Sequence, residues 1–412
     1  MPFGTRFVHC RGRCLNQSFR RHFEMEMEKY RRRYLSELEE KIIPFWETHC
    51  PDREFGAYFT CLDRDGSVYD TEKFMWMQWR IVWMFSELYV KLRPEESWLD
   101  LAWNGYRFLT RCGKDAKGRY YFSLLRDGTP SMAPYNVFSE CFACMGAAAL
   151  YRATGDESVR AEAVSAFRQY VSRRDNPKGE WNKNLSPVRY QTLGFHMMQA
   201  NMASIMKECL GDDSYEASLQ KTSSYVFDTF WNRERSLMFE NVREDGSFDL
   251  ESMTGRQLNP GHALEAMWFL MDAAERRNDE ASIRKAADIM LATLRNGWDE
   301  KYGGLFYFMD AAGKPHVELQ HSMKLWWVHC EALIATLMAY RYTGRNEFRE
   351  WFERLDEWTW AHFPDPEYGE WFAYLDRRGD VSSFLKGGKW KTFFHLPRML
   401  LVCSELFAGT HH

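Results

Sequence analysis

Leu62-Asp63-Arg64-Asp65-Gly66-Ser67-Val68-Tyr69-Asp70 is the first copy of a block that recurs down the chain. Its turn glycine returns at Gly128 (LLRDGTP), Gly246 (VREDGSFD), Gly313 (MDAAGKP) and Gly379 (LDRRGDV). The intervals are 62, 118, 67 and 66 residues, and the long one, twice the others, places a copy without its glycine near residue 187. Six periods then fill the chain. Self-similarity at this spacing marks stacked supersecondary units rather than separate domains.

A second punctuation lies between these blocks. Short polar turns occur at Arg93-Pro94, Gly155-Asp156, Gly211-Asp212, Asn278-Asp279 and Gly344-Arg345, each closing one helical stretch and opening another. Apolar spacing of 3.6 residues predicts twelve helices, near 25–47, 74–92, 97–112, 136–153, 157–173, 189–209, 214–231, 261–277, 280–296, 323–342, 346–362 and 394–408. Alternating aromatic runs in the long loops, at 302–308 and 368–374, predict β-hairpins. Helices after the long loops, such as 324–342, are apolar nearly all round, whereas those after the short turns, such as 157–173, carry one charged face. The expected fold is all-α: an (α/α)6 barrel with six helices inside, six outside and short β-hairpins in the long loops. Its cavity opens where hairpins meet the N-termini of the inner helices. One catalytic domain is expected over 25–412, preceded by an Arg-rich, disordered extension over 1–24.

Bulk properties exclude several classes. Net charge is −4, from 54 basic and 58 acidic residues, which suits neither nucleic acid nor an anionic membrane as partner. Seventeen Trp are many for this length, and Trp is costly to bury without a partner for its N–H, so a lined pocket is expected. Ten cysteines stand singly apart from Cys141 and Cys144, a lone CxxC without a second pair to complete a metal site. Scattered reduced thiols predict a cytoplasmic protein.

Four polar breaks interrupt the apolar inner helices. Arg80 shares a helix face with Trp76 and Trp83, which suits a sugar oxygen held between indoles. Asn259-Pro260-Gly261 opens a helix whose first turn carries His262, with Glu265 one turn on and placed to orient the imidazole. A helix N-terminus is expected to keep His262 neutral. Lys324, Trp327 and Glu331 share another face, with His329 nearly opposite. His395 and Arg398 are neighbours in the last inner helix. Two histidines from different helices at one cavity mouth suit proton abstraction beside a carbonyl. Glycoside hydrolysis by Glu265 and Glu331 is the competing chemistry, and it leaves the histidines unused. No metal-ligand set is recognised, and Lys386-Gly387-Gly388-Lys389-Trp390-Lys391 is a basic loop rather than a phosphate-binding motif.

The strings GAYFTCLDRDGSVYDTEKFMWMQWRIVW, APYNVFSECF, GRQLNPGHALEAMWF, YGGLFYFMDAAGKP, KLWWVHCEAL and FPDPEYGEWFAYLDRRGDVSSFLKGGKWKTFFHLPR resemble the N-acylglucosamine 2-epimerase family, which includes the animal renin-binding proteins. The resemblance spans about residues 27–405 and implies an (α/α)6 barrel that epimerises a sugar at C2 without a chemically required cofactor. Motif by motif it places the family's catalytic histidines on His262 and His395, its functional Arg on Arg80, its Glu on Glu331 and a supporting Arg on Arg398. Trp76, Trp327, Glu265 and His196 complete the expected substrate site. N-acetylglucosamine and N-acetylmannosamine are the implied substrates, with ATP as an allosteric activator and a homodimer as the assembly. Two positions depart from that branch. Leu319-Gln320-His321 replaces its Leu-Glu-Trp, and Phe195-His196-Met197 replaces its Val-Pro-Met, the latter resembling a cellobiose-epimerase pattern. Epimerisation of mannose or cellobiose, or a protein-binding role like that of the renin-binding proteins, are the alternatives.

Overall fold

The computed structural model describes residues 17–411, with side chains from residue 26. Helices form where the apolar spacing predicts them: α1 (Gln17–Glu37), α2 (Ile43–His49), α3 (Met75–Glu87), α4 (Glu96–Cys112), α5 (Phe138–Thr154), α6 (Glu157–Arg173), α7 (Leu193–Leu210), α8 (Glu216–Thr229), α9 (Pro260–Glu275), α10 (Glu280–Gly297), α11 (Trp326–Thr343), α12 (Asn346–His362) and α13 (His395–Ala408). A π turn at Leu38–Ile42 joins α1 to α2, so these form one outer element. Residues 17–24 therefore belong to the first helix and not to a separate extension, while 1–16 lie outside the described residues.

Burial sorts the helices into two layers. In α11 every residue from Trp326 to Ala339 is buried, whereas α6 buries only Val159, Ala163, Ala166, Phe167 and Tyr170. The odd-numbered helices from α3 to α13 form the inner ring, each packed on an outer partner, and α1 packs on α13 so that the first and last described helices meet. Gly155, Gly211 and Gly344 end inner helices in the left-handed conformation. Asp156 and Asp279 then cap the outer helices that follow, accepting from the backbone N–H of Ser158 and Ser282. The fold is the expected (α/α)6 barrel.

The repeat glycines perform one local task. Gly66, Gly128, Gly246, Gly313 and Gly379 all have positive φ, between 66° and 97°, and each N–H donates to the carbonyl three residues earlier. Near residue 187 side chains substitute for the glycine: Asn182, Asn184 and Ser186 accept from the N–H groups of Asn184, Ser186 and Val188. The run 302–308 does not form the expected hairpin. Gly303 and Gly304 both have positive φ and leave room for Trp358, so only one bridge forms, Trp298 to Leu305. The expected hairpins form instead across Gly66, Gly128 and Gly379, and strands also pair between repeats. Lys73–Phe74, Gln257–Leu258 and Lys324–Leu325, each just ahead of an inner helix, pair antiparallel with Ser123–Leu124, Met309–Asp310 and Tyr374–Leu375 of the following unit.

Charge repeats as well. The arginine two residues before a turn glycine reaches the aspartate that follows the outer helix of the preceding unit. That aspartate also holds the lysine at the entry of the next inner helix. The three copies are Arg126, Asp52 and Lys73; Arg377, Asp299 and Lys324; and Arg64, Asp365 and Lys386. The last joins the first unit to the sixth and closes the ring. At the opposite end an alternating circuit runs Lys91, Glu87, Arg152, Glu208, Arg276, Asp272, His411, Glu405 and back to Lys91. Its cations sit where the inner helices end, the end at which the helix dipole favours positive charge.

Candidate active site

The predicted polar residues converge at the N-terminal ends of the inner helices. Asn259 caps α9 by accepting from the His262 N–H at 3.1 Å, and the Pro and Gly that follow fix His262 in the first turn. Gly261 lets the Trp327 ring close on that turn, since a Cβ there would meet the ring at 2.6 Å. Trp327 then touches both imidazoles, with ring centres 5.3 Å from His262 and 5.8 Å from His395.

Each histidine is held through Nδ1 by a glutamate. His395 Nδ1 lies 2.7 Å from Glu331 Oε1, and Glu331 also accepts from Arg398 Nη2 at 2.6 Å and Trp268 Nε1 at 2.8 Å. Arg398 donates from the same nitrogen to Glu265 at 2.8 Å. His262 Nδ1 lies 3.0 Å from both carboxylate oxygens of Glu240. The expectation that Glu265 orients His262 is thus corrected. Glu265 points across the barrel to Arg398, and the partner comes from the loop ahead of α9, outside the i,i+3 neighbours that sequence spacing reveals.

The two rings differ electrostatically. Burial drives the His395 pKa well below its ordinary value, and the positive charges of Arg80 and Arg398 act in the same direction. Burial acts the same way on His262, but Glu240 outweighs it and the net shift is upward. The downward pull expected of the helix end is therefore corrected: the bonded carboxylate outweighs it.

Arg80 is the unpaired charge of the site. It is 8 % exposed, its Nε has no partner, and no ion pair to it occurs among the described residues. Its guanidinium lies over Phe142 (4.1 Å), Phe394 (4.6 Å) and Trp76 (5.0 Å), so phenyl rings from α5 and the α13 entry replace the second indole expected of Trp83. Trp83 packs on Phe394 instead. Burial lowers the Arg80 pKa to about 9, which leaves it charged at neutral pH.

The predicted site residue His196 lies apart from this cluster, as does His329, which the sequence placed opposite Glu331. His196 packs on Tyr225 and Phe230 of the outer layer, its Nε2 2.9 Å from Gln191 Oε1, and burial lowers its pKa to about 4. His329 accepts the Leu305 N–H at Nε2, leaving Nδ1 to donate to the Leu325 carbonyl, and stacks on Trp358. Both hold packing together.

The sequence profile of the N-acylglucosamine 2-epimerase (GlcNAc 2-epimerase) family matches residues 57–398. N-acylglucosamine 2-epimerase of Bos taurus is 40 % identical over 386 residues, covering 89 % of each chain. The chain belongs to the N-acylglucosamine 2-epimerase family. The Homo sapiens N-acylglucosamine 2-epimerase is 37 % identical over 93 % of this chain and 91 % of its own. Among solved structures, cellobiose 2-epimerase from Bacillus thermoamylovorans B4167 superposes with a TM-score of 0.81 at 22 % identity, covering 92 % of this chain and 99 % of that one. As a member of the N-acylglucosamine 2-epimerase family the protein is an isomerase, and glycoside hydrolysis drops away as a reading of Glu265 and Glu331.

Other features of this N-acylglucosamine 2-epimerase family member were not visible in sequence. Glu240 reaches the site from a loop that carries no quoted motif, whereas Phe142 and Phe394 lie inside the quoted family strings but were not singled out there. Trp390, 56 % exposed, packs edge-on to Trp76 at 5.2 Å beside the mouth, and the Gly-rich basic loop around it was the only signal. Glu265, Glu331 and His395 bring ligand-type atoms within 4.8 Å of one another, but Arg398 already fills the place a cation would take.

Proposed function

We propose that the protein interconverts N-acetylglucosamine and N-acetylmannosamine by moving a proton at C2 of the ring-opened sugar. The observation that carries this reading is the placement of His262 and His395 against the same Trp327 ring, each with Nδ1 bonded to a carboxylate and, among the described residues, no bond at Nε2. One imidazole removes the C2 proton and the other returns a proton to the opposite face. An imidazole, with a pKa ordinarily about 6.5, is a weak base for a carbon acid. The enolate formed at C1–C2 therefore needs its negative oxygen stabilised. Arg80 is a buried cation with no ion-pair partner among the described residues, and such a preorganised donor is worth about 3–4 kcal/mol to the transition state. The inner-helix N-termini, gathered at the same mouth, add their positive dipole ends. An acetamido group at C2 leaves no hydroxyl there for ketose formation, so the reaction ends at the epimer.

Glu331, Arg398 and Glu265 spend their hydrogen bonds on one another and on His395, so they act here by holding the base rather than the sugar's hydroxyls. The same proposal includes ATP as an activator, no chemically required cofactor, and a homodimer in the cytoplasm. The family resemblance supports these, and the eight described cysteines, all free, agree with a reducing compartment.

Incubation in D2O with N-acetylmannosamine, mannose and cellobiose separately, each with and without ATP, tests the reading. One deuterium at C2 of an N-acetylated product is expected. Turnover that leaves C2 free of deuterium overturns proton exchange through the histidines, and turnover of mannose or cellobiose alone overturns the substrate.

A further inference from the structure

The two histidines carry matching glutamates but unequal charge around them. Glu331 is answered by Arg398 and Trp268, and Arg398 answers Glu265 too. Glu240 is 6 % exposed, and among the described residues His262 alone pairs with its carboxylate. Gly194 borders this pair: a Cβ there would lie 3.7 Å from the His262 ring and 3.8 Å from Glu240 Oε1, so a side chain larger than a methyl would press on it. The buried charges of the site are two guanidiniums, Arg80 and Arg398, and three carboxylates, Glu240, Glu265 and Glu331. Their sum is one negative charge. An unbalanced charge is costly in a low-dielectric interior, so one imidazolium balances the site and a second would overcharge it.

We propose that Glu240 is a positioning residue that places this single proton on His262, so that turnover starts with His395 as base and His262 as acid. The inference rests on the two-histidine reaction proposed above. Every charged group facing His262 agrees with it: Glu240 is bonded to the ring, Glu265 and Glu331 also draw a proton to it, and His395 must stay neutral beside Arg80 and Arg398. Tyr307, packed on Trp327, is held neutral by burial and by Glu240. The proton balance closes. His395 Nε2 takes the C2 proton, and the C–H electron pair becomes the C1=C2 bond of an enolate, whose C1 oxyanion is stabilised by Arg80. His262 Nε2 then gives its proton to the opposite face of C2. The enzyme emerges with the proton on His395, and exchange with water restores the starting form.

Histidine-selective 15N NMR of the full chain, with rings assigned through His262→Asn and His395→Asn, reads the proton directly. In the wild type His262 is expected charged and His395 neutral at pH 7. In Glu240→Gln, His262 loses its proton at least one pH unit lower, and the alkaline limb of kcat/KM moves with it. Activity at pH 8 relative to pH 6 then falls roughly tenfold, the equivalent of one pKa unit. Glu240→Asp restores the limb. A uniform loss of activity with an unmoved limb, or a neutral His262 in the wild type at pH 7, overturns the proposal. A charged His262 in a protein that epimerises no sugar overturns the reaction reading instead and leaves the Glu240 assignment standing.

Discussion

Glu331 and Arg398 meet at 2.6 Å where neither side chain reaches solvent, and His395 hangs on the same carboxylate oxygen. Among the described residues this carboxylate is the acceptor that fixes the His395 Nδ1 proton, leaving the Nε2 lone pair free for proton transfer. Glu331→Gln keeps the shape but offers one acceptor atom where three donors converge. We expect kcat to fall between about 10² and 10⁴-fold, the usual worth of a positioned acid–base group, with KM little changed. Steady-state kinetics checks this. A change confined to KM would place Glu331 on the sugar instead.

Arg80 should behave in the opposite sense for stability and for catalysis. A buried cation without a partner costs folding energy, whereas three aromatic rings around it repay only part. Arg80→Met removes the cost and keeps the volume, so Tm should hold or rise. Loss of the oxyanion donor should lower kcat by about 10²–10³-fold. Thermal unfolding beside turnover decides it: a lower Tm with activity retained would make Arg80 a structural residue.

How much of this was legible follows from what each signal depends on. The barrel was readable because one local requirement, a positive-φ glycine three residues after an acceptor carbonyl, recurs at nearly constant spacing. His262, His395, Glu331 and Arg80 were readable because a polar group in an otherwise apolar inner helix must have a use or a partner. Partner choice across helices was not. Glu265 looked like the mate of His262 by i,i+3 spacing, but the arginine on α13 takes Glu265 while Glu240 takes the ring. Glu240 sits in a loop, where no periodicity points to a face. His196 looked like a site residue by motif, and its contacts with Tyr225 and Phe230 turn it to the outer layer. The 302–308 alternation failed because two adjacent glycines yield to Trp358.

The lysine–aspartate–arginine stitch that closes the ring predicts a large effect from one atom. Asp365 serves both Lys386 and Arg64, and those bonds, with the N–H of Glu367, hold its pKa well below the carboxylate range against the opposing effect of burial. Asp365→Asn leaves the fully buried Lys386 ammonium without its counter-charge, and breaking a buried pair costs about 3–5 kcal/mol. Chemical denaturation should report a loss of that size. The sign with pH is fixed too. A depressed carboxylate pKa contributes stability present above about pH 4, which disappears as pH falls through the folded value. The acid transition of Asp365→Asn should accordingly be shallower than that of the wild type. An unchanged midpoint in denaturant would show that the stitch carries no load.

His411 closes the alternating circuit at the far end of the barrel, with Nε2 3.2 Å from Asp272 and Nδ1 2.9 Å from Glu405. Burial lowers its pKa, and the two carboxylates more than reverse that, so the net shift is upward. A histidine whose folded pKa is raised contributes stability that is complete below the unfolded value, about 6.5, and is lost as pH rises through the folded one. Relative to His411→Gln, the wild type should therefore unfold at a higher temperature at pH 6, and the advantage should shrink toward pH 9. Turnover at the opposite end should be the same in both proteins. Thermal unfolding across that pH range measures the difference, and an advantage constant from pH 6 to pH 9 would mean that the His411 charge takes no part in holding the circuit closed.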